Sequence, residues 1–213
     1  MVNIVSFDMV GTLVDSNFED YVWNVVIPQL CATKRGISFK EATEYVLREY
    51  NFIGNKDLRW YQPTYWFKRF NLDEDSMEVF TSHTNKVRFF PETIPVLKKL
   101  SQKYDLIIVS GTTRDIIEIM IERVRSYFKH IFSPISDRYE VRKEPELYKM
   151  ICKKLKVEPD TIAHVGDDWY SDFISPRKFG IKSFYLDRDG EKRGEFIIRN
   201  LFELEDRLTK LET

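Results

Sequence analysis

The chain has 213 residues, a size that fits one α/β domain or a core domain carrying an insertion, and at 31% charged and 43% hydrophobic its composition is globular. Lys plus Arg number 33 against 34 Asp plus Glu, and the net charge of −1 lacks the positive excess that nucleic-acid and membrane-surface proteins use, so neither partner is expected. Cys31 and Cys152 form no CxxC pair, the opening MVNIVSFD has no signal-peptide pattern, and no apolar run nears the roughly 18 residues of a membrane span. A cytoplasmic protein with reduced thiols is therefore expected.

Taken in chain order, Val2 to Phe7 is short and rich in β-branched residues, and it runs into Asp8-Met9-Val10-Gly11-Thr12, a strand ending in a loop. From about residue 18 to 88 the pattern turns to amphipathic segments without a convincing strand. Ser38 and Glu41 have capping-box spacing, which predicts a helix to about Tyr50. Further helices are predicted over Asp57 to Phe70 and Asp73 to Val87, with Pro28 and Pro63 breaking or bending their segments. After Pro91, helix and strand alternate. Helices are expected over Glu92–Lys103, from a Thr112–Asp115 capping box to about Phe128, over Glu144–Leu155 and over Asn200–Leu211. Strands are expected over Asp105–Val109, His130–Phe132, Thr161–Val165 and Lys182–Tyr185, with Gly180 capping a short helix. Strands separated by helices build parallel βαβ units. The fold class is thus α/β, an open Rossmann-like parallel sheet with helices on both faces, interrupted by a helical insertion after the first strand.

Ligands of open parallel sheets bind beyond the carboxyl ends of the strands. Three strands end there in polar groups: Asp8, Ser110, and Asp167 with Asp168. Lys143 follows the strand near residue 131. Taken singly, Asp8 reads equally as a turn or cap residue, Ser110 as a turn former and Lys143 as a solvated loop residue. Adjacent Asp167 and Asp168 are harder to dismiss, because neighbouring carboxylates repel unless a cation is near. Four segments delivering carboxylates, a hydroxyl and an ammonium to one edge is the strongest signal in the sequence.

These residues carry a resemblance. Phe7-Asp8-Met9-Val10-Gly11-Thr12-Leu13-Val14-Asp15, Ile107-Ile108-Val109-Ser110-Gly111, Lys143-Glu144-Pro145, and His164-Val165-Gly166-Asp167-Asp168 through Asp172 occur in the order found in the haloacid dehalogenase-like (HAD) hydrolases. The chain resembles those members with a helical cap after the first strand. The resemblance implies a core of residues 1–14 and 89–213 with a cap of 15–88. It implies that Asp8 is the nucleophile of a phosphatase acting on a small phosphorylated metabolite through an aspartyl-phosphate. It also implies a Mg²⁺ held by Asp8, the carbonyl of Val10 and Asp167, with Asp172 ordering the outer shell. Thr12, Ser110, Gly111 and Lys143 would bind the phosphoryl group, Ser110 and Lys143 as part of the catalytic set.

One position departs from the pattern. Phosphatases of this kind carry a second Asp two residues after the nucleophile as general acid and base, a role worth about 10²–10⁴ in rate, and here the position is Val10. Valine there also suits a 2-haloacid dehalogenase, whose halide needs no proton, although the carboxylates Asp167, Asp168 and Asp172 favour a metal and phosphorus chemistry. A phosphonate hydrolase would need a cap lysine, for which Lys40, Lys56 and Lys68 are available. A protein that binds a phosphorylated ligand without efficient turnover is a further reading. His83, His130 and His164 show no metal spacing, and Asp187-Arg188-Asp189-Gly190 reads as a surface turn. Aromatic residues make up 15% of the chain, and their densest run, Trp60 to Phe67, falls in the predicted cap. Aromatics at helical spacing are more often core than ligand contacts. If this run faces the site, it would favour an apolar or aromatic leaving group.

Overall fold

The computed structural model describes residues 1–138 and 140–211. Strand β1 (Ile4–Phe7) leads into a set of helices: α1 (Asn17–Tyr21), α2 (Ile27–Arg35), α3 (Phe39–Ile53), α4 (Pro63–Phe70) and α5 (Ser76–Ser82). The chain then alternates through α6 (Thr93–Leu100), β2 (Asp105–Val109), α7 (Arg114–Ile121), β3 (Phe128–Phe132), α8 (Pro134–Arg138) and α9 (Pro145–Leu155). It ends with β4 (Ile162–Gly166), α10 (Ser175–Lys178), β5 (Lys182–Leu186), β6 (Ile197–Ile198) and α11 (Phe202–Lys210). All six strands are parallel, in the order β3-β2-β1-β4-β5-β6. The helices between β1 and β2 form a cap insertion, as the sequence pattern implies. No helix among the described residues is long and apolar enough to cross a membrane.

The period of two along each strand divides the core in two. Val5 and Phe7, Leu106 and Ile108, and Ala163 and Val165 face one side, where α6, α7 and α11 supply Val96, Leu97, Ile117, Leu204 and Leu208. Ile4, Ile107, Val109 and Ile162 face the other, where α9 supplies Leu147, Tyr148 and Ile151. Helices therefore cover both faces. On the α9 side the apolar rows are broken by Ser6, His164 and Ser183, which sit side by side in the register of β1, β4 and β5.

Several boundaries differ from those predicted, each for a local reason. The Ser38–Glu41 capping box forms, but its helix runs on to Ile53 and stops at Gly54, whose φ is 72°. Pro28 does not break its helix. The chain stays helical from Asn17 to Arg35 through a π-helical stretch, Val22–Val26, just ahead of the proline, a register change of the kind that accommodates its missing N–H. Pro63 does end a segment: Leu58–Tyr61 is a 3₁₀ turn, and α4 starts afresh at the proline. The predicted Thr112–Asp115 capping box does not form. Helix α7 starts one residue later, after Thr113, with no side-chain cap, and the Thr112 hydroxyl is engaged elsewhere. Strand β6 has two residues, too few for a periodic signal.

The cap has its own apolar centre, built on Ile27, Cys31, Ala42, Val46, Tyr50, Trp66, Phe67 and Phe70. Trp66 is fully buried, stacks on Phe70 at 5.5 Å and meets Tyr50 edge-on at 4.6 Å. The dense aromatic run is thus mainly cap core: Trp66 and Phe67 point inward, while Trp60 stays 36% exposed. Trp66→Ala is expected to cost about 3–5 kcal/mol, read as a lower urea midpoint, because the void left by an indole among rings that hold one another cannot collapse. An unchanged midpoint would show that the cap does not depend on this ring.

Candidate active site

The three central strands end side by side. Asp8 follows β1, Ser110 follows β2, and Asp167 follows β4. The Asp8 amide donates to the Val165 carbonyl at 2.9 Å, carrying the sheet pairing one residue beyond the strand. Parallel pairing in register thus places these side chains at one edge.

Lys143 comes from the loop before α9 and is only 4% exposed. Its Nζ donates to Asp8 Oδ1 and, at 2.5 Å, to Asp172 Oδ1. Asp172 lies in the helical turn after β4, 1% exposed, and accepts two further hydrogen bonds. One comes from the Asp168 amide at 3.0 Å, the other from His164 Nε2 at 3.0 Å. Because Nε2 carries the proton to a carboxylate, Nδ1 of the neutral ring is the acceptor, and it takes the Ser6 hydroxyl at 2.8 Å. A continuous buried chain therefore runs Ser6, His164, Asp172, Lys143, Asp8.

Asp167 is half-buried, and its Oδ1 accepts from Thr12 Oγ1 at 2.9 Å. One carboxylate oxygen from each of Asp8, Asp167 and Asp172 lies within 4.8 Å of the other two. Asp168 is exposed and caps the following turn by accepting from the Ser171 amide at 2.6 Å. Two glycines make this packing possible. A Cβ on Gly11, whose φ is +86°, would fall on the Asp167 carboxyl, and one on Gly166 would fall on the Asp172 carboxyl.

The charge in this cluster is unbalanced. Burial would raise the Asp172 pKa, but Lys143 and His164 outweigh it and hold the carboxyl well below the usual range. Burial opposes the Lys143 charge, but Asp172 and Asp8 outweigh it and keep the ammonium charged. Burial keeps the His164 ring neutral by lowering its pKa. Asp8 is left with the surplus. Burial pushes it up to about 8 and the charges of Asp172 and Asp167 add to this, against the pull of Lys143. Asp167 is raised as well, chiefly by burial and by Asp172. Three clustered carboxylates with one ammonium are short of positive charge, and the donors are all hard oxygens. That set fits a divalent cation such as Mg²⁺.

Of the residues singled out in sequence, Asp8, Lys143, Asp167 and Asp172 come together directly. Ser110 is buried beside them, its Oγ accepting the Thr112 amide at 3.5 Å, and Gly111 follows it. Val10 lies in the loop after Asp8, in a short bridge with Val14. The Thr12 hydroxyl is spent on Asp167. Lys40, Lys56 and Lys68 are all exposed.

Three contributors escape the sequence reading. His164 reads there as a strand residue beside the loop, yet it sits inside the buried chain; its place in the row just before Val165-Gly166-Asp167 was the available signal. Arg188 lies in a turn, as expected, but not as a free surface group. Its Nε donates to the Gly11 carbonyl at 3.0 Å, Nη2 to the Thr12 carbonyl at 2.8 Å and Nη1 to Glu92 at 2.7 Å. Its guanidinium also lies 3.5 Å over the Phe90 ring, so the loop after β1 is pinned to β5 and to the end of the cap. Beside this clamp a cleft of about 480 Å³ opens between Val10, Gly11, Asp15, Phe90, Asp167 and Arg188. Glu19, from α1, accepts a hydrogen bond from Thr112 Oγ1 at 3.1 Å and so reaches the Ser110 loop from the cap. No sequence motif marks it.

Residues 2–180 match the family model described as haloacid dehalogenase-like hydrolase. The GMP/IMP nucleotidase of Escherichia coli is 33% identical over 99 residues, which is 46% of this chain and 43% of that enzyme. The chain therefore matches less than half the length of that nucleotidase. The glyceraldehyde 3-phosphate phosphatase of Pyrococcus furiosus is 23% identical over 95% of this chain and 91% of its own. Among solved structures, a phosphatase from Thermococcus onnurineus superposes with a TM-score of 0.82 at 26% identity, covering 98% of both chains.

The surplus charge on Asp8 has a measurable consequence. Without a divalent cation the folded state holds a proton on Asp8 up to about pH 8, whereas an unfolded carboxyl releases it near pH 4. The folded state then binds more protons, so its stability falls as pH rises from about 4 to about 8. His164 gives an opposite slope below about pH 6.5, common to wild type and variant. Urea unfolding in EDTA is expected to show wild type losing more stability than Asp8→Asn between pH 5 and pH 8. Parallel profiles would contradict the charge imbalance.

Proposed function

The chain belongs to the haloacid dehalogenase-like hydrolase family, and from that premise we propose that it is a Mg²⁺-dependent phosphatase of a small phosphorylated metabolite, with Asp8 as nucleophile. The observation that carries this reading is the cluster itself: Asp8 and Asp172 share a single buried ammonium, and Asp167 brings a carboxylate oxygen within 4.8 Å of both.

Asp8 Oδ would attack phosphorus, displacing the alcohol and forming an aspartyl-phosphate that water then hydrolyses. Asp8, the Val10 carbonyl and Asp167 would hold the cation, with Asp172 kept behind them by its three donors. When bound, the cation supplies the positive charge that lets two anions, carboxylate and phosphate, approach each other. Lys143 keeps Asp8 oriented and faces the negative charge of the transferring group. Ser110 and Gly111 would receive phosphoryl oxygens. Thr12 would act through Asp167, which its hydroxyl holds in place.

The relatives support phosphate monoesters: a nucleotidase, a sugar-phosphate phosphatase and a structure described as a phosphatase. Dehalogenation is less well supported, because it would use Asp8 but has no need of Asp167 and Asp172 to hold a cation. For phosphonate hydrolysis, the cap lysines named above are exposed and none enters the cluster. A binding-only protein would give ligand-dependent thermal stabilisation without product.

A screen of nucleoside monophosphates, triose phosphates, acyl phosphates and 2-haloacids tests this. Phosphate release is expected with Mg²⁺, to be abolished by EDTA and reduced by at least about 10³-fold in Asp8→Asn. Halide release from 2-haloacids, with no phosphate from any ester, would overturn the proposal.

A further inference from the structure

Valine at position 10 leaves the proposed reaction without a group to protonate the departing alkoxide. Another carboxyl reaches the same edge from the cap. Glu19 accepts from Thr112 Oγ1 at 3.1 Å, and Thr112 in turn donates its amide to Ser110 Oγ at 3.5 Å. Glu19, Thr112 and Ser110 thus form one hydrogen-bonded run along the loop proposed to receive the phosphoryl oxygens. An alcohol leaving phosphorus on the side away from Asp8 departs toward the cap, the side from which Glu19 enters.

Charge decides the state of this carboxyl. An ionised carboxylate beside a phosphate dianion would repel it, and among the described residues no cation is paired with Glu19 to relieve that. Its charged neighbour on the same helix is Asp20; across from it, the core loop presents the Thr112 hydroxyl. In the turn packed against α1, His83 and Lys86 lie on the Tyr21 ring. Burial, helped by Asp20 and opposed by the Thr112 hydrogen bond, pushes the Glu19 carboxyl up to about 7.

We propose that Glu19 is the general acid and base of this enzyme, acting from the cap in place of the residue missing at position 10; this rests on the phosphatase reading above. In the first half-reaction Asp8 Oδ bonds to phosphorus and the ester P–O bond breaks. Glu19 gives its proton to the leaving oxygen, which departs as a neutral alcohol. In the second, water attacks the aspartyl-phosphate and its proton returns to Glu19. Inorganic phosphate leaves, and the Asp8 carboxylate is restored. Thr112 occupies one Glu19 oxygen in both halves and leaves the other for the proton.

The test compares an alkyl ester, a nucleoside 5′-monophosphate, with 4-nitrophenyl phosphate, whose leaving group needs no acid. Glu19→Gln preserves shape and can still accept from Thr112. Its kcat/KM is expected to fall about 10²–10³-fold on the alkyl ester and at most about tenfold on the aryl ester. Wild-type kcat/KM on the alkyl ester should decline above about pH 7, and that limb should be missing in Glu19→Gln. Adding Val10→Asp to Glu19→Gln should restore much of the alkyl activity, which a merely structural role would not allow. Equal losses on both esters, an alkyl loss under about threefold, or no rescue would overturn the proposal; Glu19→Asp, which keeps the carboxyl, guards against a folding defect. A folded wild type that releases no phosphate from either ester would instead defeat the phosphatase reading, and Glu19's role with it.

Discussion

An ammonium removed from water is costly unless anions replace the lost hydration, and Lys143 meets that requirement by being shared between Asp8 and Asp172. Much of the site follows from this sharing. Asp172 must stay ionised, so it draws the Asp168 amide and the His164 ring onto itself. His164 must stay neutral in the core, so its second nitrogen takes the Ser6 hydroxyl from the neighbouring strand. The polar row across β1 and β4 thus supports the lysine from behind. In front, Asp8 and Asp167 are left with more negative charge than the protein neutralises, and that deficit gives a divalent cation a place to bind.

The backbone is shaped to the same end. Gly11 and Gly166 leave room for the Asp167 and Asp172 carboxyls, and any side chain at either position would occupy that room. Arg188 ties two carbonyls of the loop after β1 to Glu92, where the chain returns from the cap, and so couples the loop that follows Asp8 to the base of the cap. On the opposite edge Glu19 meets Thr112, giving the cap a second polar contact beside the Ser110 loop. The cap's own aromatic core holds α2, α3 and α4 together, while Phe18 of α1 and Phe80 of α5 pack with the core that covers the sheet.

How much of this was legible in sequence differs by kind of signal. Strands β1, β2 and β4 are short, largely apolar runs followed by Asp8, Ser110 and Asp167, and a run followed by a polar end is readable without a structure. The Ser38–Glu41 box was readable for a similar reason, because both partners lie within one turn. Thr112 and Asp115 have the same spacing and form no box: a carboxyl far away in sequence, on Glu19, takes the hydroxyl first. The partners of His164 and Arg188 lie on other strands and loops, and local spacing carries no trace of them. The aromatic run showed a burial demand but not its direction; only the packing of Trp66 on Tyr50 and Phe70 resolves it to the cap's interior.

The central claim is that Asp8 forms a covalent bond to phosphorus. Its most direct test is mass spectrometry of the acid-quenched enzyme after brief exposure to a hydrolysed phosphate ester and Mg²⁺. The account predicts that the peptide containing Asp8 gains one phosphoryl group, and that EDTA abolishes the gain. Phosphate release while that peptide stays unmodified and the phosphoryl group appears on another residue would contradict it.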